Sequence, residues 1–394
     1  MPKHTIRLYL LFTLVTKLGI SFVSATYVIF LISRGLSLFE VNLVNFVFFT
    51  TLFLCEIPTG AVADVFGRKT SFVISCFLFS VGMFIYAASR SFWGFALAEA
   101  TAALGATFSS GAFQAWLVDK LKYQSHSESL GPVFAKEQQI APIAGIIGAV
   151  AGAFLADKDL TLPWIVGGGI MFSAGLLALA LMKEEYFVRQ SFSLKSGLQS
   201  MKNTVAASVH YGIKSKVVRF IVLMGVLQYF AIQAPNMQWQ PLFSQFLPNK
   251  TNLGFVFGGI SICLIIGSAL SPRFLKLMGN EKRALVASQI GIGAGVVATV
   301  LLKWFPLAIG VFLLHEVARG LFRPLKDVYL NDNIPSRERA TLISFESMSH
   351  HIGGMVGLLF SGFLAEYASI ATAWMLSGGI LVASTFWLMR NGKR

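Results

Sequence analysis

The chain has 394 residues, of which 55% are hydrophobic, including 36 Phe, and only 13% are charged. That balance excludes a water-soluble domain of this length and places the chain in a lipid bilayer. The net charge of +14 does not call for a nucleic-acid partner, because the basic residues are spread over many short segments and not gathered on one domain.

A helix that crosses about 30 Å of hydrocarbon needs roughly 20 mostly apolar residues. Runs of that kind lie near 6–33, 40–63, 70–89, 92–118, 130–156, 161–182, 217–247, 254–277, 284–303, 305–331, 340–366 and 369–389. They predict an all-α integral membrane protein with twelve transmembrane helices. The runs are continuous and do not alternate, which disfavours a β-barrel.

In chain order, span one carries Lys17 near mid-membrane, too deep to snorkel easily. Its Val23-Ser24-Ala25 faintly resembles a signal-peptidase site, but Lys17 splits the apolar run before it, so the segment reads as a retained first helix. Span two carries Glu56 and ends in a polar turn, Gly60-x-x-x-Asp64-x-x-Gly67-Arg68-Lys69, set between two apolar runs. Span four carries Glu99 and ends at Asp119, and span five carries Lys136 and Glu137. Residues 183–216 form the longest polar segment and divide the chain into an N-terminal bundle, 1–182, and a C-terminal bundle, 217–394, of six helices each. Within this linker Leu194, Leu198, Met201, Val205 and Val209 recur at helical spacing, which fits either an amphipathic helix on the membrane surface or a solvated tether.

Span seven supplies Gln233, Pro235, Asn236 and Trp239, and Pro235 is expected to break or kink it. On span ten, Glu316, Arg319, Arg323, Lys326 and Asp327 recur every three or four residues and share one face. That face reads as a charged cavity wall or as a Glu316–Arg319 ion pair. Span eleven carries Glu346, His350 and His351, the histidines pointing about a hundred degrees apart. Ionisable groups inside a bilayer cost roughly 2.5–3.5 kcal/mol each and are kept mainly for function. The predicted substrate and proton cavity is therefore Lys17, Glu56, Glu99, Gln233, Asn236, Trp239, Glu316, Arg319, Arg323, Glu346 and His350. The proton carrier is left open among Glu56, Glu99, Glu316 and Glu346.

Lys and Arg crowd the loops on the side of the termini, whereas the opposite loops keep only Arg34, Arg90, Lys158, Lys250 and Lys303. The asymmetry predicts cytoplasmic termini. Cys55, Cys76 and Cys263 lie in apolar runs without metal-ligand spacing, so no metal and no cofactor are expected. No P-loop and no activated nucleophile is present, which argues against an enzyme or an ATP-driven pump.

The halves repeat. Glu137, Gly145, Gly148 and Phe154-Leu155-Ala156-Asp157 fall on Glu346, Gly354, Gly357 and Phe363-Leu364-Ala365-Glu366, and a slightly larger shift places Trp116, Leu117 and Asp119 on Tyr329, Leu330 and Asp332. A duplicated six-helix unit accounts for both matches.

The turn from Gly60 to Lys69, in this setting of repeat and spans, resembles the signature loop of the major facilitator superfamily. Glu56-Ile57-Pro58-Thr59-Gly60 and Ser110-Gly111-Ala112-Phe113 to Asp119 resemble the family's bacterial efflux branch. The resemblance implies two pseudo-symmetric six-helix bundles and a cytoplasmic gating motif of Gly60, Asp64, Gly67, Arg68, Lys69 and Asp119, with Asp64 facing the start of span eleven near Thr341 and Ser344. It implies proton-coupled export of a drug-like or amphipathic small molecule by a monomer in the cell membrane. A carrier of an anionic solute such as a carboxylate or siderophore-like metabolite, favoured by Lys17, Arg319, Arg323 and the histidines, and a non-transporting receptor or scaffold are the alternatives.

Overall fold

The structure, a computed structural model, describes residues 2–187, 216–333 and 339–391. The proposed linker helix at Leu194 to Val209 lies outside the described residues. The described helices are α1 (Pro2–Ser21), α2 (Tyr27–Ser33), α3 (Leu38–Phe66), α4 (Arg68–Ala88), α5 (Phe92–Ser109), α6 (Ala112–Tyr123), α7 (Gly131–Ala156) and α8 (Leu162–Leu181). They continue with α9 (Lys216–Ala231), α10 (Gln233–Ser244), α11 (Thr251–Met278), α12 (Glu281–Leu301), α13 (Phe305–Asn333), α14 (Arg339–Tyr367) and α15 (Ile370–Asn391). Among the described residues no strand occurs.

Ten segments, α9 and α10 taken as one, are long and apolar enough to cross a membrane. The two remaining apolar runs, α1 with α2 and α5 with α6, are each interrupted by a turn, and with them the spans reach the expected twelve.

Spans one and four are thus broken where the sequence suggested unbroken helices. After Ser21 the bonds from Ser24 N to Ser21 O (3.1 Å) and Thr26 N to Val23 O (3.1 Å) tighten the chain to a three-residue turn. Ser and Thr side chains and the β-branched Val23 are weak helix formers, so little opposes the change. Span four breaks at Ser110–Gly111, where Gly111 takes φ +70°. Span seven breaks after Ile232, placing Pro235 in the first turn of α10, where its missing N–H leaves no bond unmade.

The chain forms two compact units. The first comprises Met1–Leu36, Val47–Gln199 and Leu247–Gly258; the second comprises Ser37–Phe46, Ser200–Phe246 and Gly259–Arg394. In the first, α4 packs on α5 and α8, and α1 on α7. Gly148 and Gly152 make the last approach possible, since a Cβ at Gly152 would lie 1.8 Å from the Phe22 carbonyl oxygen. The second repeats this plan: α12 packs on α13 and α15, and α9 on α14, with Gly353 and Gly357 against the Val226 and Phe230 carbonyls.

Each unit also holds the first turn of a helix that begins in the other repeat. In the first, Asp157 at the end of α7 accepts bonds from Lys250 N (2.6 Å), Thr251 N (3.1 Å) and the Thr251 hydroxyl, capping α11. In the second, Glu366 at the matching place in α14 accepts from Leu38 N (2.9 Å), the first residue of α3. The repeat therefore extends to the way each long helix is started.

Candidate functional site

In the first unit Glu99, on α5, is 8% exposed. It accepts hydrogen bonds from Tyr86 Oη (2.7 Å) and Tyr27 Oη (3.2 Å). Trp164 stacks on Tyr86 with ring centroids 4.0 Å apart. Among the described residues no cation pairs with this carboxyl group. Tyr27 is the first residue of α2, immediately after the turn that interrupts span one, so Glu99 is hydrogen-bonded to the break itself. Lys17 and Glu56, expected in the same cavity as Glu99, are exposed, and among the described residues neither forms an ion pair.

A second polar group lies on α1, α6 and α7. Glu137 Oε2 accepts from Tyr9 Oη (2.6 Å) and lies 3.5 Å from Gln114 Nε2, and a cleft of about 360 Å³ opens beside it, lined by Gln114, Phe134, Glu137, Gln138 and Ala141. The fully buried Tyr9 stacks on Phe113 (4.6 Å), which stacks on Phe72 (4.2 Å), so its hydroxyl is held in place by a column of rings. Glu137 was recognisable as an intramembrane acid, but nothing local in the sequence distinguished it from the others.

The signature turn is built as a clamp. Arg68 Nε donates to Asp119 Oδ2 at 2.8 Å, joining the start of α4 to α6. The Glu184 carboxylate accepts from Arg68 N (2.8 Å) and Lys69 N (3.0 Å), which are free N–H groups at the start of α4. Gly67 lies at φ +96°, and a Cβ there would be 2.5 Å from Glu184 Oε2. On either side of Glu184 the chain is tied down by Trp116 Nε1 donating to Lys183 O (3.2 Å), Tyr186 Oη donating to Trp116 O (3.2 Å) and a Lys120–Glu185 ion pair. Gly60 is exposed on α3. The side chains of Asp64, Thr341 and Ser344 lie outside the described residues. Glu184 escaped the sequence reading because it sits in a charged stretch that looked merely solvated.

In the second unit the charged face of α13 is largely paired. Glu316, 2% exposed, lies 3.3 Å from Arg319 Nη1, which also donates to Asn236 Oδ1 (2.9 Å) on α10. On the other side of Glu316, His315 Nε2 is 3.7 Å from Oε1, while His315 Nδ1 is 2.6 Å from the Phe312 carbonyl. A carbonyl only accepts, so Nδ1 carries a proton. Lys326 pairs with Glu346 on α14, and His350 Nε2 lies 3.0 Å from the same carboxylate while its ring stacks on Tyr229 at 4.7 Å. Gly225 makes room for that ring. Gln233 and Trp239 are buried and Arg323 is exposed. Among the described residues no group of three His, Cys, Asp or Glu is placed to hold a metal ion.

A family model described as Major Facilitator Superfamily matches residues 9–246 and 219–394. The chain is 25% identical over 388 residues to the uncharacterised MFS-type transporter YxaM of Bacillus subtilis, covering 96% of this chain and 92% of that one. It is 21% identical to Multidrug resistance protein 2 of Bacillus subtilis, over 82% of this chain and 79% of the relative. Its fold is similar to the crystal structure of the nucleoside transporter NupG, with a TM-score of 0.80 at 15% identity over 98% of both chains.

Proposed function

The chain belongs to the major facilitator superfamily, and on that premise we propose that this membrane transporter exports a small molecule in exchange for protons by alternating access. The observation that carries the proton coupling is Glu99, a buried carboxyl group held by two phenol hydroxyls, with no cation partner among the described residues. When ionised it accepts from both tyrosines. When protonated it must donate through one oxygen, so one tyrosine has to turn its hydroxyl away. Tyr27 stands at the break in span one, so the proton changes the bonding of a helix interrupted within the membrane. A name that includes multidrug resistance, borne by a relative covering most of the chain, supports export. Arg319 and Lys326 are engaged by Glu316 and Glu346, which leaves less free positive charge than an anion carrier would use.

The test is purified protein in proteoliposomes with a pH dye trapped inside, challenged with a lipophilic cation, a nucleoside and a carboxylate under an imposed pH gradient. At least one solute should move protons in exchange, and Glu99→Gln should uncouple them. Solute flux that ignored the gradient would overturn proton coupling, and no flux of any solute would favour a receptor.

A further inference from the structure

Glu137 and Glu346 occupy matching places in the two repeats, yet they are neutralised differently. Glu346 is met by Lys326 from α13 and by His350. By the shift that places Trp116 on Tyr329, the first-repeat counterpart of Lys326 is Phe113, so the first unit has a ring where the second has an ammonium group. Glu137 forms no ion pair among the described residues, in a chain whose net charge is +14. Its hydrogen bonds from Tyr9 and Gln114 both fall on Oε2, and Glu137 lines the cleft.

We infer that the cleft beside Glu137 receives the cationic nitrogen of the transported solute, an ammonium or amidinium group carried on a small apolar or aromatic body. The solute supplies the positive charge that Lys326 supplies in the other repeat. Glu137 Oε1 accepts a charge-assisted hydrogen bond from the cation. The Gln114 and Gln138 amide oxygens are available to its remaining N–H groups, and Phe134 and Ala141 give the adjoining body an apolar wall, the Phe134 face also attracting positive charge. Tyr9 is a positioning residue: locked in its column of rings, it holds Oε2 and so orients the free oxygen. The volume of about 360 Å³ lies at the small end of ligand pockets, enough for one aromatic ring with its charged substituent or for the charged end of a larger solute.

This inference rests on the transporter reading, and binding measured apart from flux separates their failures. Full-length protein in detergent is titrated with benzamidinium, with its neutral isostere benzamide and with benzoate. Benzamidinium should bind more tightly than either. Glu137→Gln should weaken it about tenfold or more, as expected for a lost charge-assisted bond. Tyr9→Phe should weaken it less, while Glu128→Gln, which removes an exposed acid of the α6–α7 connection, leaves it unchanged. Size-exclusion profiles like that of the wild type establish that the variants are folded. Equal affinity for the cation and its neutral isostere, equal binding in wild type and Glu137→Gln, or equal losses in Glu137→Gln and Glu128→Gln would each overturn the assignment. Binding that obeys this pattern without any solute flux would retain the site and reject the transport reading.

Discussion

Replacing Gly67 by Ala should damage the signature turn through two separable effects. Gly67 has φ +96° and ψ 155°, a region open essentially to glycine alone, so any side chain there costs about 1–3 kcal/mol in backbone strain. The added Cβ would also fall 2.5 Å from Glu184 Oε2, and the carboxylate would have to leave the Arg68 and Lys69 amides it holds at 2.8 and 3.0 Å. Losing such a cap is worth about 1–2 kcal/mol. The single substitution should therefore cost about 2–5 kcal/mol, and Glu184→Ala about 1–2 kcal/mol. In the double variant the displaced carboxylate is already gone, so the combined loss should fall short of the sum by about the worth of the cap. Thermal unfolding of the four purified proteins in one detergent, followed by intrinsic fluorescence, completes the cycle. Strictly additive losses would refute the coupling of Gly67 to Glu184, and an unperturbed Gly67→Ala would refute the strain as well.

Gly152→Ala should lower the unfolding temperature markedly, by an overpacking cost of about 3 kcal/mol, because its Cβ would meet the Phe22 carbonyl at 1.8 Å. Gly169→Ala, where nothing lies within 4 Å, should be neutral or stabilising by up to about 1 kcal/mol, and similar losses at both sites would contradict the described packing of α7 on α1. At Asp157, burial opposes ionisation but is outweighed by the bonds from Thr251 and from the Lys250 and Thr251 amides and by the Lys250 charge, which together hold the carboxyl below the usual carboxylate range. Its contribution to stability is then complete above about pH 4 and is lost as pH falls through the lower folded value. The gap in unfolding temperature between wild type and Asp157→Ala should stay level from neutrality to about pH 5 and close on acidification. A gap that widened in acid would count against the cap.

The spans were legible because crossing a bilayer needs long apolar runs, and ten segments of the structure are long and apolar enough. The interruption of span one was not, since Phe22 to Thr26 contains neither Pro nor Gly and only packing shows that the helix gives way, whereas Pro235 announced the break in span seven. The Arg68–Asp119 pair was legible through the resemblance, which groups both residues in one gating motif. Pairing on α13 was foreshadowed by its period of three to four residues, but His315, which points toward Glu316 from the adjacent position, was hidden among apolar neighbours. Glu99 with Tyr27 and Tyr86, and Glu137 with Tyr9, join residues far apart in the chain, and no local pattern announces a phenol hydroxyl aimed at a distant acid.

The first turns that each compact unit takes from the other repeat bear on whether this carrier can be made in two pieces. A cut anywhere in 188–215 divides the sequence cleanly, but it leaves Asp157 on one fragment and Lys250 and Thr251 on the other, just as it parts Glu366 from Leu38. Either fragment made by itself would carry a helix start without its acid and an acid without its helix. Two genes encoding the halves would thus have to be expressed together, with each product completing the fold of its sister.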